Sequence, residues 1–236
     1  IAIIGYGKMG KAIEEIALQQ GHEIVLKINS DNKELLSSSS LQKADVAIEF
    51  STPESAIENI EYCLQAGIPL VCGTTGWTNA LPQIQARCTA LNGAMVYASN
   101  FSIGVNLFFE LNTKLAALMA NQPQYEVILE EIHHTQKKDA PSGTALTLAT
   151  QILAYNKKKK QWVNDISDNP EDLEIISQRI DPTPGTHSVK YASVVDDIEI
   201  IHTAHNRTGF AAGAVLAATF IKEKKGIYTM KDVLGL

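Results

Sequence analysis

Short apolar runs alternate with longer amphipathic stretches over the first hundred residues of the chain. The apolar runs have the length of buried strands and span residues 1–4, 24–28, 46–50, 69–72 and 94–97. Helices are predicted between them, over 9–20, 53–66 and 81–91. The first of these helices has apolar residues at intervals of three and four. The serine run at 37–40 is expected to form a loop. Because strands that alternate with helices pair in parallel through crossovers, we expect an α/β fold with a Rossmann-like, doubly wound parallel sheet.

The pattern changes after residue 100. Helices are predicted over 104–120, 142–155 and 209–222, and an alternating strand over 125–132. Three further strands follow without an intervening helix, at 174–180, 187–195 and 198–203. Successive strands without crossovers indicate a mixed or antiparallel sheet, so a smaller α+β domain is expected here. The helix at 209–222 is rich in Ala and Gly, which favours close packing, and we expect it to return to the first domain.

Composition and charge narrow the class of protein. Hydrophobic residues make up 45% of the 236 residues and charged residues 19%, which suits a folded globular chain. The net charge of -6 argues against nucleic acid as a partner, because duplex binding needs a positive face. There is no apolar run long enough to cross a bilayer, no visible secretory leader and no paired spacing among the three cysteines, so we expect a cytoplasmic enzyme. Since the chain opens inside a predicted strand, a starting Met and one or two residues are expected to precede Ile1.

A glycine motif joins the first predicted strand to the first helix. Gly5, Gly7 and Gly10 give the spacing G-x-G-x-x-G. In this context the first glycine allows a tight turn, the second lets the backbone approach a pyrophosphate, and the third lets the helix pack closely on the strand. The helix N-terminus adds positive potential for the phosphates. We predict an NADH or NADPH site whose loop consists of Gly5, Tyr6, Gly7, Lys8, Met9 and Gly10.

The ends of the other predicted strands indicate how the rest of a dinucleotide is held. NAD users place an acidic residue against the ribose at the end of the second strand, where this chain has Asn29. Lys8 and Lys11 could approach a 2′-phosphate instead, so use of both NADH and NADPH is expected. The loops at 50–53 and 73–77 also follow strand ends, where open parallel sheets bind ligands, although the second could be a plain turn.

The segment from residue 130 to residue 145 carries the candidate catalytic chemistry. It leaves a predicted strand at His133 and His134, passes through Lys137 and enters a helix at residues 142–144. A histidine exchanges a proton near neutral pH, a lysine offers a fixed cation, and amides at a helix N-terminus suit a carboxylate. The segment therefore predicts an anionic substrate that is protonated during the reaction. Adjacent histidines at a strand end point apart and lack further ligands nearby in the sequence, so no metal is expected.

This segment resembles the signature of the 4-hydroxy-tetrahydrodipicolinate reductase family, formerly called dihydrodipicolinate reductases. The matching residues run E-I-H-H-x-x-K-x-D-A-P-S-G-T-A from Glu131 to Ala145. Further stretches that agree in order and spacing are the glycine loop and residues 73–76, 98–106 and 207–214. The resemblance covers essentially the whole chain. It implies a homotetrameric, two-domain enzyme that uses NADH or NADPH to reduce a cyclic dicarboxylate on the diaminopimelate route to lysine.

The resemblance also implies roles for single residues. His133 matches the family's proton donor and acceptor, and Lys137 matches a second proton-donating or carboxylate-binding residue. For substrate binding it implies His134, Gly143 and Thr144. For cofactor binding it implies the glycine loop together with Gly73, Thr74, Thr75, Ala98, Ser99, Asn100, Phe101, Arg207 and Phe210, to which the position after the second strand adds Asn29. The chain departs from the family in a glycine loop one residue shorter than usual and in Asn29 at the acidic position, and both departures bear on cofactor preference.

These patterns together predict a dinucleotide-binding domain over residues 1–103 and 209–236 and a substrate-binding and oligomerisation domain over 104–208. Two alternatives stay open at this point: another NAD(P)-dependent amino-acid dehydrogenase of the aspartate or homoserine type, and a non-catalytic NAD(P)H sensor. The first would oxidise or reduce simple amino acids, and the second would bind the cofactor without turnover. Because the protein is acidic and both its predicted ligands are anionic, positive charge is expected to be concentrated locally, at Lys8, Lys11, Lys137, Lys138 and Arg207.

Overall fold

The computed structural model describes residues 1–206 and 208–236. Over these residues the chain forms two compact units. The first consists of residues 1–103 and 208–236, and the described residues of the second are 104–206. Arg207, predicted to bind the cofactor, lies outside the described residues.

Strands and helices alternate through most of the chain. The strands are β1 (Ala2–Ile4), β2 (Leu26–Ile28), β3 (Ala47–Glu49), β4 (Leu70–Cys72), β5 (Ala94–Tyr97), β6 (Glu126–His133), β7 (Gln161–Val163), β8 (Asp172–Arg179), β9 (Gly185–Ala192), β10 (Asp197–Ala204) and β11 (Gly226–Tyr228). The helices are α1 (Lys8–Gln19), α2 (Ser38–Leu41), α3 (Pro53–Ala66), α4 (Leu81–Ala90), α5 (Ile103–Met119), α6 (Gly143–Tyr155), α7 (Thr208–Ile221) and α8 (Met230–Leu234). Short 3₁₀ turns cover Ser30–Leu35 and Thr78–Ala80.

The first unit is built on a parallel sheet. Its described strands follow the order β2-β1-β3-β4-β5-β11, and each neighbouring pair is parallel. Alternate strand residues point to opposite faces, so Ile3 and Val71 pack toward one side with α1 and α7, whereas Ile4 and Leu70 pack toward the other with α3 and α4. Both faces are therefore covered, as a doubly wound sheet requires. The predicted Rossmann-like fold is confirmed.

The second unit is built on a mixed sheet, in the order β10-β9-β6-β8-β7. β6 lies in the middle, antiparallel to β9 and parallel to β8. One face of this sheet carries Val127, Leu129 and Val189, which pack with Leu148 and Ile152 of α6. The predicted α+β arrangement with a mixed sheet is confirmed.

α7 approaches the rest of the first unit closely, as its small residues predicted. A Cβ atom built on Gly213 would lie 1.7 Å from the carbonyl oxygen of Phe101. Phe101 itself is 1% exposed and belongs to the same core cluster as Ala214 and Ala218. The contact between the helix and the backbone before α5 therefore depends on a glycine at this position.

Residues 38–40 of the serine run are helical and Ser37 is their N-cap, so the predicted loop is wrong. Ser37 caps α2: its hydroxyl accepts a hydrogen bond from the Ser40 amide at 3.3 Å, and the Ser40 hydroxyl accepts one from the Ser37 amide at 3.0 Å. Serine is a weak helix former but a strong cap, and here the caps produce a single turn. The elements β7, β11 and α8 were not predicted.

In the part of the chain that the structure describes, no helix combines the length and the apolar composition needed to span a membrane. The three cysteines, which all fall within the described residues, are buried free thiols.

Candidate active site

Each glycine of the G-x-G-x-x-G motif has a different surrounding. Gly5 has a φ of +92°, and a Cβ there would lie 2.0 Å from the carbonyl oxygen of Phe50. A Cβ on Gly10 would lie 2.6 Å from the Gly5 carbonyl oxygen, so the close contact of α1 with the turn excludes a side chain. A Cβ on Gly7 would meet nothing within 4 Å. The fold therefore requires glycine at Gly5, in the turn, and at Gly10, where the helix contacts the turn. Gly7 instead leaves its backbone open to a ligand.

A cavity of about 430 Å³ opens at the carboxyl ends of β1, β2 and β3. The strand order reverses between β1 and β3, and this switch point is where open α/β sheets bind ligands. The cavity is lined by residues that include Gly5, Tyr6, Gly7, Asn29, Ser30, Lys33, Phe50, Ser51 and Thr52. Backbone amides of the glycine turn, hydroxyl groups and one lysine suit the phosphates and ribose of a dinucleotide.

Asn29 both lines this cavity and caps the turn that follows β2. Its side-chain oxygen accepts a hydrogen bond from the Asp31 amide at 2.9 Å, and its own amide donates to Asn32 Oδ1 at 2.8 Å. Lys33 lines the cavity while its ammonium pairs with Glu58 at 2.6 Å. The residue at the acidic position is therefore held by its own turn, with a lysine beside the same cavity.

Tyr6 points its hydroxyl at α1, where it donates to the Glu14 carboxylate. Lys27 pairs with the same carboxylate at 2.6 Å and lies 5.0 Å above the Tyr6 ring. The tyrosine and lysine beside the glycine loop are thus held together by one glutamate.

The loop after β4 is tied to the loop after β3. Thr74 is buried, and its hydroxyl accepts a hydrogen bond from the Ser51 amide at 2.8 Å. Gly73 packs on the Phe50 ring, since a Cβ there would lie 2.2 Å from ring atoms. Thr75 is exposed at the same loop. These contacts fix two of the ligand-side loops in one arrangement.

The stretch from Ala98 to Phe101 leaves β5 on the same side of the sheet. Ala98 and Asn100 are half-buried and Ser99 is exposed. Asn100 Oδ1 accepts a hydrogen bond from the Ser102 amide at 2.8 Å. The Phe101 ring packs at a tilt against that of Phe50, with the ring centroids 5.5 Å apart. Of the other residues predicted to bind the cofactor, Lys8 is exposed, and Met9 and Phe210 are half-buried.

In the second unit, polar residues continue the inward face of the mixed sheet. Along β6 the buried positions are Val127, Leu129, Glu131 and His133, so the face changes from apolar to polar halfway along the strand. The strand register places His187 of β9 and Ser177 of β8 directly across from Glu131, and Arg179 of β8 across from His133. Cross-strand neighbours on one face interact, so these side chains form one cluster.

Glu131 is the centre of this cluster and is 0% exposed. The Ser142 amide donates to both of its oxygens, at 3.1 and 3.0 Å, the Ser177 hydroxyl donates to Oε1 at 2.9 Å, and Arg179 Nη2 lies 3.2 Å from Oε1. Burial alone would raise the pKa of Glu131, but hydrogen bonds from His187, Ser142 and Ser177 hold it well below its ordinary value. The buried carboxylate is therefore ionised and fixed in place.

Two histidines lie against this carboxylate. Nδ1 of His133 lies 3.5 Å and Nε2 of His187 lies 3.6 Å from Glu131 Oε2, and the two rings meet edge to face at 5.0 Å. Burial lowers the pKa of His133 to about 4, and although Glu131 acts to raise it, the charges of His187, Lys137 and Arg179 act with burial. His133 is therefore a neutral imidazole at neutral pH.

Lys137 and His134 lie in the loop beyond the strand. The Lys137 ammonium contacts both carboxylate oxygens of Asp139, at 2.8 and 2.7 Å. The Lys137 amide donates to the His134 carbonyl oxygen at 3.1 Å, which closes the turn between them. The cation is thus present and partly exposed, with an acidic residue beside it that a substrate carboxylate could replace.

The loop ends at the N-terminus of α6. Ser142 caps this helix, since its hydroxyl accepts a hydrogen bond from the Ala145 amide at 3.2 Å. Gly143 and Thr144 are the first two residues of the helix, and a Cβ on Gly143 would meet nothing within 4 Å. The positive end of a 13-residue helix and an open glycine backbone suit an anion.

Glu131, His133 and His187 also raise the question of a metal. One ligand atom from each lies within 4.8 Å of the other two. The carboxylate oxygens, however, already accept hydrogen bonds from Ser142 and Ser177 and face the Arg179 guanidinium, which repels a cation. The donor set therefore fits a hydrogen-bonded ionic cluster better than a metal centre.

Comparison with known proteins covers both units. Residues 1–101 match the family model "Dihydrodipicolinate reductase, N-terminus", and residues 104–234 match "Dihydrodipicolinate reductase, C-terminus". The chain belongs to the dihydrodipicolinate reductase family.

Relatives agree over the full length. The chain is 51% identical over 237 residues to the 4-hydroxy-tetrahydrodipicolinate reductase of Christiangramia forsetii, which covers all of this chain and 97% of that protein. It is 38% identical over 249 residues to the enzyme of the same name from Zymomonas mobilis, again over all of this chain and 97% of that one.

Among solved structures, a dipicolinate-bound dihydrodipicolinate reductase from Paenisporosarcina superposes with a TM-score of 0.77 at 26% identity, over 97% of this chain and 96% of that one. DAP dehydrogenase of C. glutamicum, in complex with DAP, gives a TM-score of 0.53 at 16% identity, over 97% of this chain and 92% of that one, and shows a shared fold alone.

Placed on this reductase chain, the predicted residues fall into two groups. The glycine loop and Asn29 meet at the switch-point cavity of the first unit, while the loops 73–75 and 98–101 follow β4 and β5 of the same sheet. His133, His134, Lys137, Gly143 and Thr144 follow one another from the end of β6 to the start of α6 in the second unit.

Sequence reasoning missed three residues of the second unit: Glu131 as a centre of hydrogen bonds, His187 and Arg179. His187 and Arg179 reach the site only through the pairing of β9 and β8 with β6. The available signal was the inward alternation of β6, which puts Glu131 on the same face as His133. In the first unit Lys33 was also missed, whereas Ser51 belongs to the loop 50–53 that the sequence put forward for ligand binding.

Proposed function

We propose that this protein reduces the cyclic dicarboxylate 4-hydroxy-tetrahydrodipicolinate to tetrahydrodipicolinate with NADH or NADPH, in the diaminopimelate route to lysine. The observation that carries the proposal is membership of both units in one reductase family, at full length and up to 51% identity among the relatives given above. The glycine turn beside a switch-point cavity and the histidine–lysine segment supply the two kinds of site that this reaction needs.

The first unit is proposed to hold the dinucleotide. Gly7 would let the pyrophosphate reach the N-terminus of α1, and the cavity beyond it has the size and polarity for a ribose phosphate. Lys33 beside Asn29 is compatible with NADPH as well as NADH. When bound, the reduced nicotinamide supplies a hydride to the substrate ring.

The second unit is proposed to hold the dicarboxylate. Lys137 and the N-terminus of α6 at Gly143 and Thr144 would bind its carboxylates, with His134 at the same loop. Negative charge that develops on the ring during reduction would be stabilised by these groups. His133 would return the proton that the reduction consumes, directly or through a water.

The test is oxidation of NADH and NADPH, followed by absorbance, with the heterocycle generated in place by its synthase. The proposal expects turnover with this substrate and none with aspartate or homoserine. Turnover with those amino acids instead would favour the amino-acid dehydrogenase alternative, and tight NADPH binding without turnover would favour a sensor. Dipicolinate, the ligand of the Paenisporosarcina enzyme, is proposed as a competitive inhibitor here.

The same proposal includes a homotetramer in the cytoplasm. Exposed apolar residues of the second unit cluster at its edge strand β10 and the turn before it: Val194 is 104%, Val195 85% and Ile201 59% exposed. An unpaired strand edge with exposed apolar side chains is a surface that proteins cover, commonly with another copy of the same chain. Light scattering after gel filtration would measure the mass, and Ile201→Asp is expected to reduce it.

A further inference from the structure

We propose that Glu131 is a positioning residue that holds the His133 imidazole with its proton on Nδ1, which leaves Nε2 as the nitrogen that accepts and returns the reaction proton. The kinetic part of this inference rests on the proposed function. The protonation state it assigns can be tested without any turnover.

Nδ1 of His133 is a buried nitrogen beside the Glu131 carboxylate. Among the described residues, Nδ1 has no hydrogen-bond partner, and it faces Glu131 Oε2 at 3.5 Å. In a neutral imidazole one nitrogen carries a proton and the other a lone pair, and the surroundings decide which. A lone pair would be repelled by the carboxylate oxygen, whereas an N–H is attracted to it. The proton therefore belongs on Nδ1.

The carboxylate of Glu131 cannot turn away. The Ser142 amide donates to both oxygens of Glu131, and Ser177 and Arg179 hold Oε1. Oε2 is left to face the histidines. A fixed anion next to a buried ring orients that ring, as in the carboxylate–histidine pairs of hydrolases.

The two histidines differ in the partners of the nitrogen that faces Glu131. Nε2 of His187 lies 3.6 Å from Oε2 of Glu131, but it also lies 3.1 Å from the Ser142 hydroxyl, with which it forms a hydrogen bond. Nδ1 of His133 has no such second partner among the described residues. Nε2 of His187 is therefore shared between Ser142 and Glu131, whereas Glu131 Oε2 is the one acceptor recorded close to His133 Nδ1 in the described part of the chain.

The other edge of the His133 ring carries Nε2. Nε2 packs against Gly185 of β9, where a Cβ would lie only 3.2 Å away. The charged and titratable groups around the ring are Glu131 of β6, Arg179 of β8, His187 of β9 and Lys137 of the loop. Nε2 takes a proton from solvent water, Glu131 balances the imidazolium that forms, and release of that Nε2 proton to the reduced ring restores the neutral Nδ1–H form. The pair can therefore exchange one proton without rearrangement.

The kinetic test compares Glu131→Gln with Glu130→Gln. Glu130 is the next residue of β6 and is exposed, so the control makes the same change on the opposite face. Glu131→Gln is expected to lower kcat by about 100-fold, to leave KM for the dicarboxylate within a few-fold, and to change the pH profile of kcat. The control is expected to match the wild type. Wild-type kcat and pH profile in a folded Glu131→Gln protein would overturn the proposal.

The second test needs no active variant. Nitrogen chemical shifts of ¹⁵N-histidine-labelled protein distinguish N–H from lone-pair nitrogens, and His133→Gln identifies the His133 signals. A proton on Nδ1 of His133 at neutral pH is expected. A proton on Nε2 alone, or an imidazolium, would overturn the inference even if Glu131→Gln does not fold. If the wild type fails to reduce the heterocycle, the proposed function fails while this protonation result still stands.

Discussion

Gly213 offers a direct test of how the first unit is packed, because alanine there has two opposing effects. Within a helix such as α7, replacing glycine with alanine ordinarily stabilises by about 1 kcal/mol. Here, however, the new Cβ would lie 1.7 Å from the carbonyl oxygen of Phe101 and 2.8 Å from its carbonyl carbon. Since the opposing atoms are backbone, no side chain can rotate out of the way.

The size of the clash decides the sign. An ordinary contact begins at 3.4 Å, so the helix or the Phe101 segment must move by more than an ångström. Overpacking a core costs about 1–3 kcal/mol and occasionally more, and this site belongs at the upper end because Phe101 is 1% exposed. Net of the helix gain, the loss is about 2 kcal/mol or more, which corresponds to a fall in Tm of about 4–8 °C for a chain of this size.

The assay is thermal unfolding followed by circular dichroism, with Gly209→Ala as the matched control. Gly209 lies on the same helix, but a Cβ there would lie 3.5 Å from the Ser102 hydroxyl, an ordinary contact. The control is expected to keep or slightly raise the Tm. A Gly213→Ala protein as stable as the wild type would show that α7 does not approach Phe101 this closely, and would refute the reasoning.

Three further predictions concern the two sites. Asp139→Ala frees the Lys137 ammonium and is expected to tighten dipicolinate inhibition by up to about fivefold at low salt. The limit is about fivefold because an exposed ion pair contributes at most about 1 kcal/mol, and weaker inhibition would contradict the prediction. His133 has a folded pKa of about 4, below its unfolded value, so the unfolded chain binds more protons and stability falls as pH drops through this window. Between about pH 7 and pH 4.5 the wild type is expected to lose about 2 kcal/mol of unfolding free energy that His133→Gln keeps, as measured by denaturant titration. Gly7→Ala is expected to leave the Tm near that of the wild type while weakening NADPH binding at least about tenfold, because its Cβ enters open space at the cavity; unchanged binding by calorimetry would count against the site.

Local sequence patterns predicted the first unit well because its strands, turns and helices follow one another at short distances along the chain. A strand, a G-x-G-x-x-G turn and a helix follow one another within 20 residues. Gly10 is required by a contact inside that stretch, and Gly5 by its own φ of +92° together with the backbone of Phe50 after β3. α2 escaped prediction because two serines cap a single turn, which propensity alone does not reveal. β11 has three residues and exists through its pairing with β5, far away in the sequence.

The second unit was predicted in outline but not in its centre, since that centre depends on strand register. His187 meets Glu131 because β9 runs antiparallel to β6 in one particular alignment, and a shift by one residue would turn it to the opposite face. No spacing within the histidine–lysine segment carries that information.

The stability of the fold does not account for the buried carboxylate of Glu131. Removing a carboxylate from water costs several kcal/mol, and paired buried ions are often no more stabilising than apolar residues of similar size. The face that Glu131 occupies is apolar at Val127 and Leu129, so an apolar residue would continue the core of this sheet at no greater cost. Packing therefore does not explain why an ion sits there. The explanation that fits the geometry is that the ion serves the ring next to it: the hydrogen bonds that keep the carboxylate charged also fix its orientation, and that orientation is what His133 needs to exchange a proton at a defined nitrogen.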